Sequence, residues 1–350
     1  MAVAIKNKSL LSCWPDGFSR YYSVSRILLT VFDDKPVKIL DVGGNSKWMY
    51  LFLKDSGLDF KLQIVDSLPA DFKNPAVAYL QGDFFKLDSK DHLADAVINT
   101  DVLEHVPQDM KLAFIKKCIE FAGSVAIFSA PHEDADVTLS EQTVDKLTKL
   151  ATGKQQRWLK EHFIFGKPRP ETITKEIKAS GFPYICFDAN NLDNWLLSFS
   201  ANMINQSVTN LPEMDRLNRY YNSNIDSVGD FTGKSYRKVF IVFKDKELYA
   251  KSLPKLKKLF PQDNSKQIEY QNMVVDSLVK KIMVLQNRDE KHDAVLSAAS
   301  KLSDELKARL DNAETELKAV KSRKIYRYGD KLSTVLVAAK KAKTTASRRR

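Results

Sequence analysis

The chain lacks several features that mark particular classes of protein. Its 350 residues contain three cysteines, Cys13, Cys118 and Cys186, which lie far apart and form no CxxC pair. Neither a disulfide framework nor a zinc site is therefore predicted from cysteine. No run approaches the roughly 18 apolar residues that a membrane span needs, and the first residues, MAVAIKNKSLLSCW, lack the apolar core and cleavage site of a secretory signal. We expect a protein of the reducing cytoplasm.

Excess positive charge is nearly absent from the body of the chain. The net charge is +11, but residues 321–350 carry eleven Lys or Arg against one Asp, so the preceding 320 residues have a net charge of only +1. This argues against a specific nucleic-acid surface on the domain. The basic tail, residues 323–350, fits either a solvated, frayed terminus or contact with an anionic membrane surface, where each basic residue adds about 1 kcal/mol.

Residues 1–250 alternate short apolar runs with stretches of helical periodicity. VKILDVGG, KLQIVD, ADAVINTD and SVAIFSAP predict four buried strands, and KWMYLFLKDSG, LAFIKKCIEFAG and ETITKEIKASGF predict helices between and after them. PYICFDA and YRKVFIVFK predict two last strands, separated by a largely helical insertion at about 193–233. This alternation indicates an α/β domain with a mostly parallel sheet covered on both faces.

Glycine and proline are absent from residues 268–322, which follow a linker at 251–267. Apolar residues there recur at 4-3 spacing, with a polar interruption around Asp289 and His292. The pattern predicts a heptad-like helix of about 55 residues, spanning on the order of 80 Å if straight. Two interpretations fit it: a coiled coil that makes the chain a homo-oligomer, or one long amphipathic helix folded back on the domain.

A third glycine is missing from the loop KILDVGGNSKW, which carries Gly43 and Gly44 but Lys47 where a nucleotide-binding loop often has another glycine. Glycines let backbone approach a ligand closely, and Asn45 suits a left-handed turn. Asp66 ends the second strand, where a carboxylate is placed to accept ribose hydroxyls. The following GDFF offers an acid and a ring for an adenine. Together these features predict a nucleoside-binding site.

These segments resemble the motifs of class I S-adenosylmethionine-dependent methyltransferases: ILDVGG, then IVD, GDFF and ADAVINTDVLEHVP. The resemblance covers about residues 20–245. It implies a Rossmann-like, seven-stranded, mostly parallel sheet with the last strand antiparallel, here followed by the long C-terminal helix or coiled coil. It also implies S-adenosyl-L-methionine as cofactor. A dehydrogenase using NAD explains neither GDFF nor LEHVP.

The resemblance assigns roles to individual residues of the cofactor site. Asp41 and Gly43, with Gly44 and Asn45 completing the loop, would face the methionine end, and Thr100 and Asp101 would line that side. Asp66 and the neighbouring Ser67 would hold the ribose. Asp83 and Phe84 would contact the adenine.

Histidine is also scarce, with five in the chain, and a hydroxyl acceptor profits from a base of near-neutral pKa. His132 follows a strand at the ligand edge of the sheet, and His162 lies in WLKEHFIFGKP. We expect one of these two to be the base, with Glu161 able to orient a histidine. His105 fits a structural role equally well. No aspartate cluster predicts a dedicated magnesium cage.

The segment WLKEHFIFGKPRPETITKEIKASGF and the tail SRKIYRYGDKL resemble parts of bacterial surface-polysaccharide methyltransferases of O-antigen type. This looser resemblance implies O-methylation of a sugar of a surface polysaccharide or lipid-linked glycan, in a cytoplasmic enzyme peripheral at the inner membrane. Two alternatives remain: methylation of a free small molecule or lipid, and an inactive scaffold. The acids Asp41, Asp66 and Asp83 argue against the scaffold.

Overall fold

The computed structural model describes residues 5–33, 35–44, 46–206, 211–286 and 293–321. Asn45, one of the predicted cofactor residues, and the basic tail at 323–350 lie outside them. None of the helices in the described part of the chain combines the length and apolar character needed to cross a membrane.

The centre of the fold is one seven-stranded sheet. Its strands in chain order are β1 (Val37–Val42), β2 (Phe60–Asp66), β3 (Val77–Gln81), β4 (Ala94–Thr100), β5 (Ala122–Pro131), β6 (Tyr184–Asn191) and β7 (Ser235–Phe243). They lie in the order β3-β2-β1-β4-β5-β7-β6, and only β7 runs antiparallel to its neighbours. This is the strand order of the class I methyltransferase fold, so the predicted fold class is confirmed.

The helices are α1 (Pro15–Phe32), α2 (Trp48–Ser56), α3 (Ser89–His92), α4 (Lys111–Phe121), α5 (Ala135–Thr152), α6 (Arg157–Phe165), α7 (Pro170–Ala179), α8 (Leu192–Gln206), α9 (Leu211–Ser223), α10 (Lys246–Leu256), α11 (Gln267–Gln286) and α12 (Asp293–Lys321). Helices α8 and α9 fill the predicted helical insertion between the last two strands. The predictions contained no helix for α1, α5 or α6, and these three carry much of the site described below.

The side chains of each strand alternate between two apolar layers, as period two requires. In β1, Val37 and Ile39 point into a layer shared with α1, α2, α5, α8 and α11, while Leu40 and Val42 point into a layer shared with α4 and α7. The sheet is therefore buried on both faces, which explains the near-continuous apolar runs of the central strands.

The predicted 55-residue helix corresponds to two helices, α11 and α12, and residues 287–292 between them lie outside the described part of the chain. Tyr270, Val274 and Leu278 of α11 are buried in the domain core, where α11 packs on α8 and α9. Leu306 of α12 is also buried there, and α12 contacts both α5 and α11. The two helices thus fold back on the domain, as in the second interpretation of that segment, because their apolar stripes find partners within the same chain.

Candidate active site

The loop after β1 needs both of its glycines. Gly43 has φ +86°, in the left-handed region, and a Cβ on it would lie 2.2 Å from Val102 Cγ2. A Cβ on Gly44 would lie 2.1 Å from the Asp41 carboxylate. The backbone of this loop therefore runs directly over the Asp41 side chain. A side chain at either glycine position would displace the loop backbone.

Lys47, which replaces the expected third glycine, has an ordinary helical conformation. Its φ is −70° and its ψ is −11°, and it directly precedes the first residue of α2. A glycine is not required there for conformational reasons, since any L-residue adopts this region. The departure from the family pattern at Lys47 is therefore compatible with the same backbone path up to Gly44.

Two carboxylates, Asp41 and Asp66, lie at the carboxyl ends of β1 and β2. Asp41 is 1% exposed, and its Oδ1 has no hydrogen-bond partner among the described residues. Burial, and then the charge of Asp66, raises the pKa of Asp41 to about 7. Asp66 is half-buried; burial raises its pKa, while hydrogen bonds from Leu68 N and the Ser67 hydroxyl act in the opposite direction. The structure thus brings Asp41, Asp66 and Ser67 together beside the glycine loop.

The GDFF segment has a different arrangement from the one expected. The Asp83 carboxylate accepts a hydrogen bond from Phe85 N at 3.0 Å and begins a short 3₁₀ helix, and Gly82 N donates to Asp66 O at 2.8 Å. The Phe84 ring is 6% exposed and packs on Phe114 and Phe121. The start of GDFF therefore lies beside the end of β2, and Phe84 is a core residue, because its ring fills the layer beneath α4. Its placement does not match the expected contact with an adenine.

The predicted pair Thr100 and Asp101 lies at the end of β4. Thr100 is buried, and Asp101 has φ +52°, which turns the chain sharply after the strand. Arg237 donates to both Asp101 oxygens, at 2.9 and 2.6 Å, and Arg20 forms a further ion pair with one of them. Although burial acts to raise the pKa of Asp101, these two guanidiniums hold it below its ordinary value.

A cavity of about 680 Å³ opens beside Asp101. Helix α1, the segment before it, and helices α6 and α8 form much of its wall. Its aromatic lining comprises Trp14, Tyr21, Trp48, Trp158, Trp195, Phe199 and Tyr236. Its charged and imidazole groups include Asp16, Arg20, Asp101, Glu104, His105, His162 and Arg237. The cavity therefore combines flat aromatic walls with a set of ionisable groups.

His162 is the predicted base that reaches this cavity. It is 3% exposed, and its Nδ1 lies 2.8 Å from Glu141 Oε1. Lys167 Nζ donates to the other Glu141 oxygen at 2.7 Å, and the Tyr236 hydroxyl donates to Oε1 at 2.9 Å. Burial acts to raise the pKa of Glu141, but the contacts with His162 and Lys167 hold it below its ordinary value. Glu141 therefore orients His162.

Glu161 does contact a histidine, but the histidine is His105. Glu161 Oε2 lies 2.8 Å from His105 Nδ1, and Arg157 Nε donates to the other oxygen at 2.8 Å. Burial, and then the neighbouring His162, lowers the pKa of His105. The rings of His105 and His162 lie 5.0 Å apart. His105 is therefore part of the cavity wall.

Glu104 precedes His105 in the short 3₁₀ helix Leu103–His105 and is 1% exposed. Burial, and then the charge of Asp101, raises its pKa well above the ordinary value. The buried Lys111 ammonium donates to the carbonyls of Leu103 and Val106. It thereby closes the turn that points Glu104 and His105 into the cavity.

His132, the other predicted base, does not line this cavity. Its Nε2 lies 3.0 Å from Ser235 O across the β5–β7 pair, and burial lowers its pKa. It lies instead in a small apolar pocket with Pro168, Pro170 and Phe240. The structure therefore gives His132 a packing role, since the antiparallel β7 covers the position that a terminal strand residue was expected to expose.

Sequence reasoning missed Arg20, Glu141 and Arg237. Arg237 carries a signal in hindsight, because a charged residue in the apolar strand YRKVFIVF must find a buried partner. Arg20 and Glu141 lie on α1 and α5, for which no helix was predicted, and no local pattern distinguishes them from surface charges.

No model of a known protein family matches the sequence, and no curated protein matches it. Solved structures similar to the chain include a plantazolicin methyltransferase in complex with a monoazolic desmethylPZN analog and SAH, at 10% identity and a TM-score of 0.41, covering 66% of this chain and 85% of that one. A magnesium protoporphyrin IX methyltransferase from Synechocystis PCC 6803 with bound SAH matches at 15% identity and a TM-score of 0.39, covering 66% and 84%.

A further similar structure is a SAM-dependent methyltransferase from Archaeoglobus fulgidus, at 14% identity and a TM-score of 0.37, covering 64% of this chain and 94% of that one. The assignment of the fold depends on the observed strand order, with β7 inserted antiparallel between β5 and β6.

Proposed function

We propose that the protein is an S-adenosylmethionine-dependent methyltransferase that O-methylates a sugar of a surface polysaccharide or lipid-linked glycan. The observation that carries the proposal is the placement of Asp41 and Asp66 beside Gly43 and Gly44. These residues lie at the carboxyl ends of β1 and β2, next to the point where the strand order reverses between β1 and β4. Open α/β sheets bind their ligands at this crevice.

The residues present fit the cofactor. Asp66 is half-buried at the position from which a carboxylate accepts the two hydroxyls of a ribose. Asp41 presents a buried oxygen that no described residue satisfies, under a backbone that only glycine permits. When bound, S-adenosylmethionine supplies an electrophilic methyl group on a positively charged sulfur.

The cavity at Asp101 fits the acceptor. O-methylation forms a bond between the acceptor oxygen and the methyl carbon as the sulfur–carbon bond breaks, and the hydroxyl proton must pass to a base. Flat rings such as Trp14 and Trp158 offer surfaces for the C–H faces of a sugar, while the ionisable groups offer hydrogen bonds to its hydroxyls. His105 and His162 are among these groups, each with a carboxylate near Nδ1, and one of them would accept the proton.

Calorimetric titration with S-adenosylmethionine tests the cofactor. We expect binding of one molecule per chain and its loss in Asp66→Ala. Asp59→Ala, an exposed acid immediately before the amino end of the same strand, is the matched control and should bind as the wild type does. Absence of binding to the wild-type protein, or equal binding to Asp66→Ala, would overturn the proposal.

Mass spectrometry of cell-surface glycans with and without the gene tests the acceptor. A methyl group, 14 mass units, should disappear from one sugar when the gene is deleted. Restoring the gene should restore the mass, and restoring His162→Asn should not, because we expect that change to lower kcat about 10²- to 10⁴-fold. An unchanged glycan profile would contradict the glycan as acceptor while leaving the cofactor result intact.

A second acceptor class is favoured by one surface observation. Phe163 and Ile164, next to His162 on α6, are 40% and 62% exposed. Large apolar side chains beside an active-site helix suit a lipid or an apolar small molecule. A methylated lipid in the extract, with glycans unchanged, would support this class.

We further propose that the enzyme acts in the cytoplasm at the inner surface of the membrane, with the tail at 323–350 contacting anionic lipid headgroups. The charge of that tail supports this, since the rest of the chain is nearly neutral. We also propose that residues 268–322 contribute to a homo-oligomer through the sides of α11 and α12 that face away from the domain.

A further inference from the structure

We propose that Glu104, His105 and His162 form a binding site for one divalent transition-metal ion. One ligand atom from each of the three side chains lies within 4.8 Å of the other two. Two imidazoles and one carboxylate are a donor set that binds first-row ions such as Zn²⁺, Mn²⁺ and Fe²⁺. The residues come from two separate segments, the turn after β4 and helix α6, which the fold brings together.

The hydrogen bonds around Glu141 fix which nitrogen of His162 is available. Glu141 accepts from Lys167 Nζ and from the Tyr236 hydroxyl, so it is an ionised acceptor. His162 Nδ1, 2.8 Å from the same carboxylate, must therefore carry the proton and donate. The lone pair of a neutral His162 is then on Nε2, on the side of Glu104. A carboxylate behind the ring is the usual support of a metal-binding histidine.

His105 also has a carboxylate beside Nδ1. Its Nδ1 lies 2.8 Å from Glu161 Oε2, but the two groups are not aligned for a hydrogen bond, and both side chains are 27% exposed. Both histidines of the cluster thus have a carboxylate near Nδ1, and the one at His162 is buried and hydrogen-bonded. A metal ion bound by the two rings would have both carboxylates as supports of its ligands.

The facing atoms lack partners. Glu104 Oε2 and His162 Nε2 are buried, and neither has a hydrogen-bond partner within the described ranges. His162 Nε2 lies 3.9 Å from Glu104 Oε1. With bonds of about 2.1 Å, two neighbouring ligands of one ion lie about 3.0 to 3.4 Å apart. This pair would therefore have to approach by less than about 1 Å, and a pair at the 4.8 Å limit of the cluster by about 1.4 to 1.8 Å.

The neighbouring cations do not prevent binding. Arg237 and Arg20 are ion-paired with Asp101, and Arg237 also with Asp16. Lys167 is ion-paired with Glu141. Because each of these cations has its own carboxylate, none of them competes with a metal ion for Glu104.

The proposed ion would face the cavity with open coordination positions, since all three ligands line it. Its role in catalysis rests on the proposed methyltransferase function: an acceptor hydroxyl bound there would release its proton to solvent water more readily, because the ion would stabilise the oxygen anion. With the ion bound, His162 would act as a metal ligand, and water would take the proton in its place. Metal binding itself requires neither the cofactor nor the acceptor.

Titration of the full-length protein, freed of any histidine tag and treated with chelator, with Co²⁺ alone tests the site. Bound Co²⁺ gives visible absorption bands that report nitrogen ligands. We expect one ion per chain, displaced by Zn²⁺, and affinity at least tenfold lower in His162→Asn, His105→Asn and Glu104→Gln. Glu141→Gln should weaken binding about 10- to 100-fold as a supporting residue.

Two histidine variants outside the cluster are the matched controls. His132→Asn removes a buried histidine, and His92→Asn removes one whose Nδ1 lies 3.2 Å from Gln63 Nε2. Both variants should bind Co²⁺ as the wild type does. Circular dichroism and calorimetry with S-adenosylmethionine confirm that each variant is folded and separate this proposal from the cofactor proposal. Absence of one-to-one Co²⁺ binding by the wild type, or unchanged binding by the three ligand variants, would overturn the metal site.

Discussion

Asp41 couples the binding chemistry of the site to the stability of the fold. Its carboxylate is buried under Gly44, and burial raises its pKa to about 7 from an unfolded value near 3.8. Between these two values the folded chain binds a proton that the unfolded chain has released. The free energy of unfolding therefore falls as the pH rises through this window and levels off above about pH 7. Asp41 is thus expected to destabilise the protein at neutral pH.

Asp41→Asn should remove this contribution. Relative to the wild type, the variant should gain stability as the pH rises from about 4 to about 7, by at most about 4 kcal/mol. It should also lose S-adenosylmethionine binding. Urea unfolding at several pH values measures the difference between the two proteins. A difference that does not change across this pH range would contradict the raised pKa.

The contact between Gly44 and Asp41 predicts non-additive substitutions. Gly44→Ala should destabilise by about 1 to 3 kcal/mol, because its Cβ would lie 2.1 Å from the Asp41 carboxylate. In an Asp41→Ala background the same change should cost much less, since the obstructing group is gone. Gly82→Ala, whose Cβ meets nothing within 4 Å, is the control. Thermal unfolding of the four proteins of the cycle measures the coupling; equal costs in both backgrounds would contradict the predicted clash.

For individual residues, the sequence predicts which side chains lie at strand ends but not which side chains they contact. Asp41, Asp66 and Asp101 follow apolar runs, so their place at one sheet edge follows from the parallel topology. The partnership of His162 with Glu141 joins α6 to α5, and such a contact depends on how the two helices pack. The position of Phe84 could not be predicted for the same reason, because its ring is buried by packing against α4.

At the scale of elements, α11 belongs to the domain. Val274 is fully buried and Leu278 is 8% exposed, whereas Met283, one and a half turns further along, is 49% exposed. Periodicity alone could not decide this, because an amphipathic stripe that packs on its own domain and one that packs on a second chain have the same spacing. The decision depends on the apolar face that α8 and α9 present.

Leu278→Ala should therefore lower the free energy of unfolding by about 2 kcal/mol or more. Met283→Ala, on the same helix, should change it by less than about 0.5 kcal/mol. Urea unfolding of both variants at several protein concentrations makes the comparison. If α11 were held mainly by a second chain, the free energy of unfolding of the wild type would rise with protein concentration by mass action; values independent of concentration support packing within the chain.

Across the full chain, the excess positive charge and the residues of the candidate active site lie in different segments. Residues 322–350 hold ten Lys or Arg against Asp330, so a chain ending at residue 321 has a net charge of +2 instead of +11. The strands, the cavity and the proposed metal ligands all precede this point. The shortened chain should therefore fold, bind S-adenosylmethionine and bind Co²⁺ as the full chain does.

The shortened chain should have a much lower affinity for anionic membranes than the full chain. We expect the full chain to co-sediment with phosphatidylglycerol-containing vesicles at low salt and to be released as the ionic strength rises, because salt screens the attraction between the tail and the headgroups. The shortened chain should stay in the supernatant, and neither should bind vesicles of phosphatidylcholine alone. Equal recovery of both chains on anionic vesicles would contradict attachment through the tail. The exposed Phe163 and Ile164 of α6 would then be the candidate membrane contact. Loss of vesicle binding on their substitution by Ser would place that contact beside the active site.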